Sequence, residues 1–157
     1  MVINEQPSRA SYFHSLNARL GMPWICVGNR AANAKSARLM MFDVERDIGF
    51  LGQIPDAVWI QAGANDSRVE GQPVNVCAER AQELIEWFIR RGIAVFYQPW
   101  QPNDSRHTLA NSAGKASIRY NNIMRPWCHA RNHVYYMPRG EAMIDPTSNL
   151  GWAKAGV

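Results

Sequence analysis

Between Ala57 and Gln98 the chain reads Ala-Val-Trp-Ile-Gln-Ala-Gly, then a segment from Val74 to Arg91 with apolar residues at helical spacing, then Ile-Ala-Val-Phe-Tyr-Gln. Two short apolar runs joined by an amphipathic helix make a β-α-β unit, and such a unit places its two strands parallel in one sheet. No other feature of the sequence restricts the fold as strongly. Cys77, Ala81, Leu84, Ile85 and Phe88 share one stripe of the helix, and Gly92 stands where a C-terminal cap belongs. Strands this continuously apolar are expected where helices cover both faces of a sheet.

The same alternation extends in both directions. A first helix is expected to start near Pro7, with Phe13, Leu16 and Leu20 on one face and Gly21 ending it. A short strand, Pro23 to Gly28, and a small-residue loop lead to a second helix around Leu39 to Ile48. After the Pro99–Ser105 loop comes a fourth helix through Ala116, Tyr120, Ile123 and Met124, then a last strand, His133 to Met137. From Pro138 onward the pattern weakens into an irregular tail. Strict alternation of this kind predicts an α/β domain built on a parallel sheet.

With 157 residues, of which 46% are hydrophobic, residues 1–157 suffice for one cored domain and not for two. The net charge of +4 rests on arginines dispersed from Arg9 to Arg139, which argues against a nucleic-acid face. Three cysteines, Cys26, Cys77 and Cys128, with no C-x-x-C spacing point to a reducing compartment and away from structural zinc. The N-terminus has neither the basic region nor the apolar core of a secretory leader, and no run reaches membrane-spanning length. A soluble, cytoplasmic protein without membrane association is therefore expected. No glycine-rich phosphate loop follows any strand, so a nucleotide is disfavoured and no cofactor is implied.

In such sheets ligands bind beyond the carboxyl ends of the strands. At one of those ends stands Gly63-Ala64-Asn65-Asp66. This block, with a strand before it and a helix after it, resembles the third block of the SGNH, or GDSL-type, hydrolases, whose signature is G-x-N-D. Upstream, Ser11–Gly21, Trp24–Leu39 and the helix with Phe42-Asp43-Val44-Glu45-Arg46-Asp47-Ile48 are similar in order and spacing to that family's first helix, second strand, second-block loop and second helix. The resemblance spans about Ser11 to Asp145 and implies a three-layer, flavodoxin-like α/β/α fold. It implies that Asn65 is an oxyanion-hole donor, since a rigid neutral amide stabilises charge that develops on an attacked ester oxygen. Gly63 and Asp66 would shape and brace the turn, and Ala31 or Ala34 would stand where the family has its second-block glycine. Read from the residues alone, Asn65 and Asp66 are also what a left-handed turn and a helix cap use.

Two blocks of the resemblance have no counterpart. The family's nucleophile lies in a strand ending Gly-Asp-Ser, and that tripeptide occurs nowhere here. Its general base is a histidine in the last block, and no histidine follows His133. The family's first strand is central to the sheet, so its absence is expected to be met in one of three ways. The sequence is a piece of a longer esterase acting on carbohydrate or lipid, another chain supplies a strand, or the sheet has closed into a smaller non-catalytic form. The resemblance then implies a structural or binding subunit, for an acylated glycan or in a virion, with a second copy or partner chain completing the sheet.

Outside the block, Cys77 reads as core, and Ser67 and Ser105 read as turn or capping residues. His107 lies near the expected cleft, and Trp100, flanked by Pro99 and Pro102, is a candidate for stacking on a sugar or partner. Trp59 and Trp87 fall on core-facing patterns.

Overall fold

The computed structural model describes residues 35–100 and 112–137. Within them the order is α1 (Ala37–Gly49), β1 (Ala57–Ile60), α2 (Ala64–Arg68), α3 (Val74–Ile89), β2 (Ala94–Tyr97), α4 (Ser112–His129) and β3 (Val134–Tyr136). The expected first helix, the Pro23–Gly28 strand and the tail lie outside the described residues.

The three strands form one parallel sheet in the order β1-β2-β3, so the described chain is a mixed α/β structure. Register sets its two faces. Val58, Val95 and Val134 are aligned across the strands, as are Ile60, Tyr97 and Tyr136, and alternation sends both rows to one face. That face meets the apolar stripes of the helices: α3 packs on α1, α4 and β2, while α4 packs on β3. Ile60, Val95, Tyr97 and Val134 join Cys77, Ala81, Leu84, Ile85, Phe88, Tyr120, Met124 and Cys128 in one buried cluster. Every residue assigned to the α3 stripe from its spacing is in that core.

Local signals mark the start of α1 and both ends of α3. Ser36 caps α1 from an extended backbone, its Oγ accepting from the Leu39 N–H. Pro73, with φ fixed near the helical value, precedes α3, and Gly92 beyond its end takes φ +75° while Ile93 N–H closes back on Phe88 C=O. Among the described residues no helix is long and apolar enough to cross a membrane.

Of the two tryptophans expected to face the core, Trp87 packs against it and Trp59 does not. Trp59 projects from the opposite face of the sheet, aligned with Phe96 and Tyr135, and remains 38% exposed. An apolar tetrapeptide does not reveal which alternate residues face inward, and here the smaller Val58 and Ile60 do. Trp87 is partly buried against the core cluster, with the Arg91 guanidinium 3.7 Å above its ring. Ile123, on the inward spacing of α4, is 38% exposed.

Candidate functional site

The Gly63–Asp66 block leaves the carboxyl end of β1 and forms the start of α2, a five-residue helix. Gly63 adopts φ +95°, ψ −30°, and a Cβ there would fall inside the van der Waals radius of the Tyr120 ring and hydroxyl. Glycine is therefore required by both backbone and space. The tyrosine that crowds it is part of a buried cluster. Tyr120 Oη lies 2.9 Å and Tyr97 Oη 3.2 Å from the Ala62 carbonyl oxygen, with 2.6 Å between the two hydroxyls. Two phenol protons thus serve three contacts around one acceptor. Burial, reinforced for Tyr97 by the charge of its neighbour, pushes both phenols well above the ordinary tyrosine range.

Beyond Gly63 the polar side chains turn toward the start of α1. Asn65 donates from Nδ2 to the Lys35 carbonyl at 3.0 Å. Asp66, fully buried, accepts the Ala37 N–H at 2.7 Å and the Arg80 guanidinium at 3.2 Å, one oxygen for each. Glu70 accepts the Ser36 hydroxyl at 2.6 Å and Arg80 at 2.5 Å, with Arg38 Nε 3.7 Å away. Four consecutive residues, Lys35 to Arg38, are thereby held by Asn65, Glu70 and Asp66. Arg80, from α3, ties the two carboxylates together. Lys35 extends the network by pairing with Asp43 at 2.9 Å and Asp47 at 3.5 Å.

The electrostatics follow from these contacts. The Ser36 hydrogen bond, with Arg80 and Arg38 beside it, holds the Glu70 carboxyl below its ordinary range against the opposing effect of desolvation. Glu70 and Asp66 in turn raise the Arg80 pKa, with desolvation opposing them, so its guanidinium stays charged. Of the thiols, Cys77 is pushed up to about 11 by burial and then by the Asp66 charge. Burial drives Cys128 to about 12. Neither is a ready nucleophile near neutral pH.

The remaining candidates divide. Trp100 is inside the fold at 2% exposure. Asn121 clamps its backbone, accepting its N–H at Oδ1 and donating from Nδ2 to its C=O, both at 3.1 Å. Its ring lies edge-on to Tyr120 at 5.7 Å, with the Arg68 guanidinium 5.8 Å from its centroid. Ala31, Ala34 and His107 lie outside the described residues. Asn65 is helical, and the left-handed conformation belongs to Gly63.

An open groove of about 670 Å³ lies elsewhere, between Gln72, Pro73, Val74 and Asn75 at the start of α3 and Arg119, Asn122 and Ile123 on α4. Among the described residues no group of histidine, cysteine and carboxylate side chains is arranged to hold a metal ion. Sequence reasoning missed Ser36, Glu70, Arg80 and the tyrosine pair. Ser36 before a helical run had a local cap signal, and Asp66 and Glu70 are one helical turn apart, but their partner Arg80 is on another element.

No family model, curated protein or solved structure matches this chain.

Proposed function

We propose that this chain is a structural or binding subunit of SGNH-like, flavodoxin-type organisation, in which the Gly63–Asp66 block acts as a scaffold and the chain by itself does not turn over esters. The observation that supports this reading is the engagement of Asn65 and Asp66 with residues 35–37. An oxyanion donor acts by aiming an N–H at the reacting oxygen, whereas Asn65 directs a side-chain N–H to a backbone carbonyl. The raised thiols and the sequence, which has no Gly-Asp-Ser and no histidine after His133, point the same way. An acylated carbohydrate surface is the ligand class that goes with the resemblance, and a second copy or partner chain is the partner class proposed with it.

The experiment is p-nitrophenyl acetate hydrolysis by the purified chain beside Asn65→Ala, with native mass recorded on the same samples. The expected outcome is no turnover above buffer for either protein, together with a modest loss of thermal stability in the variant. Turnover that drops about 10²-fold in Asn65→Ala would overturn the non-catalytic reading and make Asn65 a working oxyanion donor. A monomeric mass would remove the second copy from the proposal without touching the scaffold role of the block.

A further inference from the structure

We draw no further inference here: the strongest candidate, the aromatic row Trp59, Phe96 and Tyr135 on the sheet face opposite the α3 and α4 core, is a partly exposed apolar face, and nothing in the structure shows what covers it.

Discussion

Gly63 is the residue on which the turn after β1 depends. Its positive φ costs a residue with a Cβ roughly 1–2 kcal/mol, and the overlap with buried Tyr120 adds an overpacking cost of about 1–3 kcal/mol. Gly63→Ala is therefore expected to lose about 2–5 kcal/mol in urea unfolding. Tyr120→Phe, which removes a hydroxyl and leaves Tyr97 to serve the Ala62 carbonyl, is expected to lose only about 1 kcal/mol. Equal losses in the two variants would mean that hydrogen bonding, and not crowding, dominates at this point. Asp66→Ala belongs to the same comparison. It leaves the buried Ala37 N–H without its acceptor and removes one carboxylate from Arg80, a change expected to cost about 2–3 kcal/mol. Asn65→Ala gives up one half-buried amide bond, at about 1 kcal/mol. If Asn65→Ala were the costlier of the two, the hold on α1 would run through Lys35 rather than Ala37.

At the scale of elements, α1 and α3 are joined by carboxylates on and beside α2, and that junction has a pH signature. Glu70 has a folded pKa held below its unfolded value, first by the Ser36 hydroxyl and then by Arg80 and Arg38. Its contribution is therefore complete above the unfolded carboxylate pKa of about 4.3 and disappears as pH falls through the lower folded value. Melting temperatures recorded from pH 7 down to pH 3 are expected to fall through that window, and Glu70→Gln is expected to flatten the fall while starting from a lower plateau. An unchanged acid limb in the variant would assign the fall to other carboxylates. The elements themselves were largely legible. The α3 stripe, the Gly92 stop and the two apolar runs carry local periodicity and turn chemistry, and these are what a sequence shows. Helix α2 was not legible, because five residues are too few to display a 3.6-residue period. Neither was the junction: Ser36 and Glu70 are 34 positions apart, and Ala37 and Asp66 are 29 apart, so no window of sequence contains the contact. The inward or outward sense of Trp59 was hidden for a different reason, since both faces of β1 carry apolar residues.

For the molecule as a whole, the question is whether the described residues open as one unit. Cys77 on α3 and Cys128 on α4 probe this, because both belong to the cluster that joins the helices to the sheet and both have no exposed surface. The thiolate is the species that reacts with iodoacetamide. With pKa values pushed up to about 11 and about 12, the fraction ionised at pH 8 is only about 10⁻³ and 10⁻⁴. Modification of the native protein therefore requires an opening that both exposes the thiol and restores its ordinary pKa. If α3, α4 and the sheet open together, the two cysteine peptides, followed by mass spectrometry, are expected to gain label at the same rate. That rate would rise in parallel with urea through the global transition. In Gly63→Ala both rates should rise by the same factor, because Tyr120 belongs to the same cluster as the two cysteines. Faster labelling of Cys128 alone would instead make α4 and β3 a separately opening unit, with the Tyr97–Tyr120 contact as the seam along which they part.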